Sequence, residues 1–375
     1  MSHAKPKARV TLKTVAEKAG VSVATVSLIL SGRDEWLRQF HPDTIARVQQ
    51  CAKRLGYRAN LFATGLPMKT SSFFSLVLAD MGEKDLGTWH HWAFEGSLLA
   101  GVVAAALEKR LYPVVATSHR DTDASGVKQI SKIINGGVFG SIARSPNPEL
   151  EKFLRGKLKQ GHPLVVVFPG KLQVWPTNAI DVDNYQVGRK AGEILLHRGR
   201  KHWFVARYQK MSEAHRLRLD GFTDFARQAG IPVHQLPLTM DVNELRAQNQ
   251  ILAELDHVKA DGLFALDCVA SVGSVMACVE SGRRVAEDVD VLGCDCSLSQ
   301  TGNMPTITSV DISWREVGEL SVQRLVEMCD ASASTFDTIL LPPRVLSGVT
   351  CPVPAHLQSP SSIEGLGSAR HDSSD

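Results

Sequence analysis

The sequence predicts a small all-α head followed by an α/β core with two lobes, each built on a parallel sheet. The chain has 375 residues, which is more than one ordinary domain needs. Its N-terminal part contains short helical segments with recognisable caps. Beyond residue 71, short apolar runs alternate with amphipathic segments, a pattern typical of parallel strands covered by helices on both faces.

Composition and charge divide the chain into four segments. We expect a helical head at 1–58, a connector at 59–70, a two-lobed core at 71–350 and a disordered tail at 351–375, which is rich in Ser, Pro and Gly. Residues 1–69 hold 12 basic and 4 acidic residues, a net charge of +8, whereas the remaining residues hold 30 and 35, a net charge of −5. A basic head on an acidic body indicates that the head meets a polyanion.

Several classes of protein are disfavoured by the composition. No apolar run reaches the roughly 18 residues that a membrane helix needs, and no apolar stretch follows the basic N-terminus as in a secretory signal. The seven cysteines are odd in number and scattered, which favours reduced thiols over a disulfide framework. We therefore expect a cytoplasmic protein without a membrane partner.

The head is predicted to contain three helices. Thr11 is placed to cap the first, and Gly20 to end it. Ser22 is placed to cap the second helix. A loop follows, and Pro42 then opens a third helix because proline is tolerated in a first helical turn. Two adjacent short helices joined by a glycine turn fit a DNA-binding helix-turn-helix and, taken alone, fit a plain three-helix bundle equally well.

Several stretches resemble a known family. VTLKTVAEKAGVSVATVSLIL, PDTIARVQQCAKRLGYRAN and LFATGL are similar to the head and hinge of LacI/GalR-type bacterial transcription regulators. DNYQVGRKAGEILLHRGRKHWFVA, HRLRLDGF and VDVLGCD resemble parts of the core of that family, to about residue 350. The resemblance implies a helix-turn-helix head and a core with the fold of periplasmic sugar-binding proteins. It also implies a dimer, or a dimer of dimers, that binds double-stranded operator DNA and an effector between the lobes.

The second helix is the predicted reading helix, which in this motif lies in the major groove. Val26, Ile29 and Leu30 should face inward. The residues left for DNA contact are Val23, Ala24, Thr25, Ser27 and Leu28, together with Thr11, Thr14 and Ser22 at helix N-termini. Because the positions with which the family reads bases are apolar here, we expect contact with thymine methyl groups, while the hydroxyls serve phosphates or bases.

The loop and the connector add further DNA-binding candidates. Arg33 and Arg38 lie in the loop, where they either contact DNA or are merely solvated. In the family, the hinge helix forms on DNA and wedges a leucine into the minor groove. The resemblance assigns that leucine to Leu66, the close-packed hinge residue to Ala63 and a polar contact to Asn60. An apolar wedge of this kind unstacks a base step and bends the duplex.

The core should bind its ligand in the crevice outside the carboxyl ends of its strands. The strand ends indicate Asp80, Trp89, Trp92, Phe168 and Asp267 as effector-binding candidates, and the resemblance adds Arg218 and Asp295. A planar guanidinium, carboxylates and aromatic rings together suit a sugar, which offers hydroxyl edges and apolar faces. The alternative for each residue is an ordinary salt bridge or a core aromatic.

The sequence therefore predicts a transcription regulator, specifically a repressor, whose operator affinity is controlled by a sugar or sugar derivative. One alternative is a cytoplasmic solute-binding protein with a vestigial head. Another is a doubly wound enzyme, but no phosphate loop, nucleophile elbow or metal-binding motif is present, so we expect no catalysis, cofactor or metal.

Overall fold

The computed structural model describes residues 10–30, 34–57, 72–80, 89–119, 124–170, 174–175, 177–239, 243–255, 257–296, 306–330 and 336–358. The chain divides into two compact units. One comprises residues 1–72 and 137–139 and is called the head here; the other comprises residues 73–136 and 140–375 and is called the core.

The head contains α1 (Leu12–Ala19), α2 (Val23–Leu30), α3 (Asp34–Leu37) and α4 (Pro42–Leu55). Its small core is centred on Val15, Val26 and Val48, all fully buried. The expectation of three helices was incomplete. The segment predicted as a loop contains the single turn α3, which lacks the apolar periodicity that longer helices show in a sequence.

The capping predictions for the head are confirmed. Thr11 Oγ1 accepts the backbone N–H of Thr14 at 3.3 Å, and Ser22 Oγ accepts that of Thr25 at 3.0 Å. Gly20 ends α1 in the left-handed conformation, with φ 67°. The two adjacent helices are thus fixed by local hydrogen bonds and by a backbone geometry that glycine adopts without strain.

The first lobe of the core has a six-stranded, all-parallel sheet in the order β11-β5-β4-β3-β1-β2. Its strands are β1 (Phe73–Asp80), β2 (Tyr112–His119), β3 (Ser141–Arg144), β4 (Leu164–Val167), β5 (Ala179–Val182) and β11 (Ile339–Leu341). Its helices are α5 (Trp89–Glu108), α6 (Ala124–Asn135), α7 (Pro148–Lys159) and α12 (Trp314–Asp330).

The second lobe repeats this arrangement, with the order β12-β10-β9-β8-β6-β7. Its strands are β6 (Trp203–Tyr208), β7 (Val233–Leu238), β8 (Gly262–Ala265), β9 (Asp290–Cys294), β10 (Thr308–Asp311) and β12 (Arg344–Leu346). Its helices are α8 (Asn184–His197), α9 (Glu213–Ala229), α10 (Glu244–Leu255) and α11 (Cys268–Glu280). Only β12 among these described strands runs antiparallel to its neighbour.

The chain passes between the lobes after β5, after β10 and between β11 and β12. The ends of β5 and β10 therefore lie where the two sheets meet. On the second lobe, α8 and α9 pack closely because Gly188 and Gly221 have no side chain. A Cβ on Gly188 would lie 1.9 Å from the Arg218 carbonyl oxygen, and one on Gly221 would lie 2.0 Å from that of Tyr185. This close packing fixes the positions of α8 and α9 relative to each other, and with them that of Arg218.

The predicted tail begins too early. Cys351, Val353 and Leu357 are buried, and a short 3₁₀ turn spans Ala355–Leu357. Thr308 Oγ1 donates to the Cys351 carbonyl at 2.7 Å, which ties this segment to β10. The composition suggested disorder, but tertiary hydrogen bonds and buried apolar side chains hold residues 351–358; the rest of the predicted tail lies outside the described residues.

Candidate functional site

The reading helix α2 separates an inward face from an outward one. Val26 and Ile29 are buried, whereas the side chain at Val23 is 44% exposed and Ala24 is exposed. Leu28 is half-buried. The outward surface near the start of the helix is thus apolar, as the sequence predicted. Such a surface can contact thymine methyl groups but cannot form the paired hydrogen bonds that read guanine or adenine.

Hydroxyl groups cluster at the N-termini of α1 and α2. Thr11 Oγ1 and Thr14 Oγ1 lie 3.1 Å apart, and Ser22 Oγ and Thr25 Oγ1 lie 2.9 Å apart. Ser27, on α2, is half-buried. Hydroxyls and backbone N–H groups at helix N-termini are suited to binding phosphate oxygens.

Four of the predicted DNA-binding residues lie outside the described residues. They are Arg33, Asn60, Ala63 and Leu66. Arg38 lies just after α3 and is exposed.

The core contains a cleft of about 700 Å³ that is bordered by both lobes. Of the predicted effector residues, the cleft brings together Phe168, Arg218, Asp267 and Asp295. Asp80 lies at the end of β1, and Trp89 and Trp92 lie in the first turn of α5. Only the backbone of these three residues is described, so the predictions for their side chains lie outside the described part of the chain.

Arg218 and Asp295 form a buried ion pair at the cleft. Arg218 Nη2 lies 3.5 Å from Asp295 Oδ2, while its Nε donates to Asn184 Oδ1 at 2.9 Å and its Nη1 donates to the Leu266 carbonyl at 2.6 Å. The N–H groups of Ile312 and Trp314 donate to Asp295 Oδ1 at 3.2 and 3.4 Å. Burial raises the pKa of Asp295, and the Arg218 charge and these two donors oppose that rise. The pair presents fixed polar groups to whatever occupies the cleft.

Asp267 and His215 form a second polar pair. His215 Nε2 lies 3.5 Å from Asp267 Oδ2, and burial lowers the pKa of His215 to about 4, although the Asp267 carboxylate opposes this. Asp267 also caps α11 by accepting the N–H of Ala270 at 2.9 Å. The imidazole is therefore neutral near pH 7, and it offers one donor and one acceptor.

Three aromatic rings form an apolar wall. Trp314 stacks on Phe94 with ring centres 5.2 Å apart, and the Phe168 ring lies 4.4 Å from Trp314. Phe168 follows the last residue of β4 and has φ 47°, a region that side-chain-bearing residues rarely adopt. Strain of this kind is often found at functional sites. Phe168 was expected to end β4 itself; the strand stops one residue earlier.

Arg144 closes the wall from the end of β3. Its Nε lies 2.9 Å from the buried Glu95 carboxylate, and its guanidinium lies 5.2 Å from the centre of the Trp314 ring. Burial raises the pKa of Glu95, and the Arg144 charge opposes this. The guanidinium is thus oriented by an acid on one side and by an aromatic face on the other.

Asp181 is a cleft residue that sequence reasoning missed. It lies in β5, is 8% exposed and lines the cleft. Burial raises the pKa of Asp181 to about 6, against the effects of the Val182 N–H and the Arg218 charge. The signal was present in the sequence, because AIDV places one acid inside an apolar run. Phe94, Trp314 and Arg144 carried no comparable local signal, since only tertiary packing brings them to the cleft.

Among the described residues, no group of three or more His, Cys, Asp or Glu side chains is arranged to hold a metal ion. Each helix in the described part of the chain is too short or too polar to cross a membrane.

Comparisons with known proteins match both parts of the chain. The model of the lacI family of bacterial regulatory proteins matches residues 11–60, and that of the periplasmic binding protein-like domain matches residues 193–351. The chain is 28% identical over 330 residues to the HTH-type transcriptional regulator CelR of Thermobifida fusca. The aligned region covers 84% of this chain and 92% of CelR. It is 24% identical over 345 residues to catabolite control protein A of Priestia megaterium, with 90% and 97% covered.

Solved structures share the fold. The lac repressor dimer bound to operator and the anti-inducer ONPF superposes with a TM-score of 0.75 at 22% identity, covering 92% of this chain and 100% of that chain. The CelR–cellobiose complex gives a TM-score of 0.61 at 24% identity, covering 91% and 100%. A LacI family regulator from Enterococcus faecium with bound ribose superposes with a TM-score of 0.61 at 20% identity, and the match covers 75% of this chain and 99% of that chain.

The head and the core together define a DNA-binding transcription regulator with a two-lobed effector-binding core. The predicted fold class, a helix-turn-helix head with a periplasmic-binding-protein-like core, is confirmed. The chain carries a LacI-family helix-turn-helix domain and a periplasmic-binding-protein-like domain, and it matches CelR and catabolite control protein A over most of their length.

Proposed function

We propose that this regulator is a repressor whose affinity for operator DNA is controlled by a sugar or sugar derivative bound in the cleft. The observation that carries the proposal is the cleft itself. It sets a buried, hydrogen-bonded ion pair, Arg218–Asp295, beside an apolar wall formed by Phe94, Phe168 and Trp314.

A sugar matches both features. Neighbouring hydroxyl groups on a sugar ring each donate and accept hydrogen bonds, and the cleft offers both acceptors and donors to them. The guanidinium of Arg218 and the Asn184 amide supply donors, while Asp267 and Asp295 supply acceptors. The C–H faces of a sugar ring can pack on the aromatic wall. Two structural neighbours carry sugars, cellobiose in one and ribose in the other, which supports the same class of ligand here.

On the DNA side, α2 would enter the major groove with Val23, Ala24 and Leu28 toward thymine methyl groups. The hydroxyls at the N-termini of α1 and α2 would contact phosphates. The hinge residues Asn60, Ala63 and Leu66, with Arg33 in the loop, remain candidates for minor-groove and backbone contacts. Because the head lacks charged base-reading side chains on α2, specificity would depend on DNA shape and on the hinge as well.

The protein would act as a homodimer on a two-fold symmetric operator, since two half-sites double the contacts of one small head. It would act by binding rather than by turnover. Effector and operator would be linked through a coupling free energy, so each would change the affinity for the other by the same factor.

The proposal is tested by thermal denaturation of the full chain against a panel of cellobiose, ribose, glucose, galactose, sucrose, glucosamine and galactosamine. A ligand that binds only the folded protein raises the melting temperature in a concentration-dependent way. We expect at least one sugar to do so. If none does at millimolar concentration, the sugar assignment is wrong.

Selection of bound sequences from randomised DNA duplexes tests whether the protein recognises a specific operator, and we expect a two-fold symmetric site to be enriched.

A further inference from the structure

We infer that Asp181 is a specificity-determining residue of the cleft, and that its carboxylate accepts a hydrogen bond from a hydroxyl or ammonium group of the effector. The inference rests on the proposed function and goes beyond it by assigning one residue to one kind of ligand group and by predicting a proton linkage.

The first argument is an unfilled acceptor. Asp181 Oδ1 accepts the backbone N–H of Val182 at 2.7 Å, and among the described residues no other group donates to this carboxylate. A carboxylate offers about four acceptor positions, and buried acceptors normally have partners. Asp181 is buried but lines the cleft, so a ligand group can reach it.

The second argument is that the nearby cation, Arg218, is not a hydrogen-bond partner of Asp181. Arg218 directs its Nε to Asn184, one terminal nitrogen to the Leu266 carbonyl and the other to Asp295. It influences Asp181 through its charge but forms no hydrogen bond with it. Two other cations near the cleft have their own partners: Arg144 pairs with Glu95, and Arg216 with Glu213 and Asp220. The remaining cleft carboxylate, Asp267, contacts the neutral His215 and caps α11.

The third argument is that burial disfavours a charged Asp181 carboxylate when no ligand is bound. Burial raises the pKa of Asp181 to about 6, so without a donor the free cleft holds a proton there in mildly acidic solution. A donor from the effector favours the charged form and lowers that pKa. Binding near pH 6 should therefore release a proton from the Asp181 carboxyl to the solvent.

The other groups that face Asp181 do not duplicate this behaviour. Its neighbour on β11, Leu340, is apolar. Arg218 stays charged, and burial lowers the pKa of His215 to about 4, which takes its titration away from pH 6. Asp295 is held by Arg218 and by two N–H donors. Burial raises the pKa of Glu95 too, so the assignment to Asp181 depends on its own substitution.

The test uses isothermal titration calorimetry of the full chain with the sugar that gives the largest thermal shift in the panel. Buffers of different ionisation enthalpy report the protons released per ligand. We expect the wild type to release about half a proton at pH 6, and its Kd to rise about tenfold from pH 7.5 to pH 5. Asp181→Asn should bind about 10- to 100-fold more weakly at pH 7.5, with proton release reduced to that of the remaining groups.

Asp183→Asn is the matched control. Asp183 lies two residues along, caps α8 through Gln186 and is not among the cleft-lining residues. Asparagine caps a helix as well as aspartate, so this variant should behave as the wild type.

If Asp181→Asn leaves affinity and proton release unchanged, the inference is wrong while the sugar proposal stands. If no sugar binds, both are overturned. A neutral sugar as the best ligand identifies the donor as a hydroxyl, and an amino sugar identifies it as an ammonium.

Discussion

The reading helix of the head and the cleft of the core are opposite solutions to presenting a binding surface. The helix α2 exposes apolar side chains, and the polar contacts around it are local, joining residues three positions apart such as Ser22 and Thr25. The cleft buries charged side chains, and its contacts are long-range: Arg218 joins residues 34, 48 and 77 positions away. The residues of the head surface therefore contribute little to the stability of the fold, whereas the charged residues of the cleft also stabilise the lobe that carries them.

This difference determines which substitutions destabilise the protein. Removing one member of a buried ion pair leaves an uncompensated charge in a poorly solvated site. Trimming an exposed apolar side chain removes few contacts and leaves no polar group unsatisfied. We expect cleft variants to lose stability and reading-helix variants to lose only DNA preference.

The largest effect should follow Arg218→Met, which strands the buried Asp295 carboxylate. We expect a loss of about 3–5 kcal/mol in the free energy of unfolding, measured by urea denaturation of the full chain. Arg216→Met is the matched control, since Arg216 is exposed and solvent screens its pairs with Glu213 and Asp220, so its loss should lower that free energy far less. Equal losses in the two variants would contradict the distinction between a buried and an exposed pair.

A smaller effect should appear with pH through His162. His162 Nε2 forms a hydrogen bond with Ser141 Oγ at 2.8 Å, and Ser75 Oγ donates to Ser141 Oγ at 2.7 Å. Burial lowers the pKa of His162 from 6.5 to about 4. Because the unfolded chain binds the extra proton between these values, stability should fall by up to about 2 kcal/mol as pH drops from 6.5 to 4.

The variant His162→Gln should flatten that part of the pH–stability profile in chemical denaturation. His257→Gln, at an exposed position, serves as the control and should keep the wild-type slope. A wild-type slope in both variants would assign the acid sensitivity to other groups.

Phe168→Ala tests the aromatic wall. The ring lies 4.4 Å from that of Trp314, and its loss should remove one side of the apolar surface. We expect the affinity for the effector to fall about tenfold, equivalent to about 1.4 kcal/mol, in calorimetric titrations. Unchanged affinity would show that the ligand lies elsewhere in the cleft.

The smallest effect on stability should come from the reading helix. Val23→Ala and Leu28→Ala should each change the free energy of unfolding by about 0.5 kcal/mol or less. Both should nevertheless relax preference at A·T positions in a randomised-operator selection, because thymine methyl contacts are lost. If half-site preference stays as in the wild type, α2 positions the protein and the bases are read elsewhere.

The same contrast explains how far the sequence alone could lead. Caps and turns act over three or four residues, so Thr11, Gly20 and Ser22 were assigned correctly from the sequence. Buried strands such as β1, β4 and β9 coincide with the short apolar runs that predicted the parallel sheets. Short edge strands such as β11 and β12 were not recognised, since three residues are too few to show a hydrophobic periodicity.

In the cleft, residues at the ends of predicted strands or in a familiar motif were found, among them Arg218 and Asp295. Trp314 and Phe94 were missed because they reach the cleft from α12 and α5, whose position depends on how the chain passes between the lobes. Asp181 could have been found, since an acid within an apolar strand must have a reason to be buried.

The most direct test of the account is the reciprocity of the two sites. Operator affinity of the full chain is measured by fluorescence anisotropy with and without the sugar that stabilises it, and sugar affinity is measured with and without operator. We expect the sugar to change operator affinity at least about fivefold, and the operator to change sugar affinity by the same factor. A sugar that binds in the cleft and leaves operator affinity unchanged would contradict control of the head by the core.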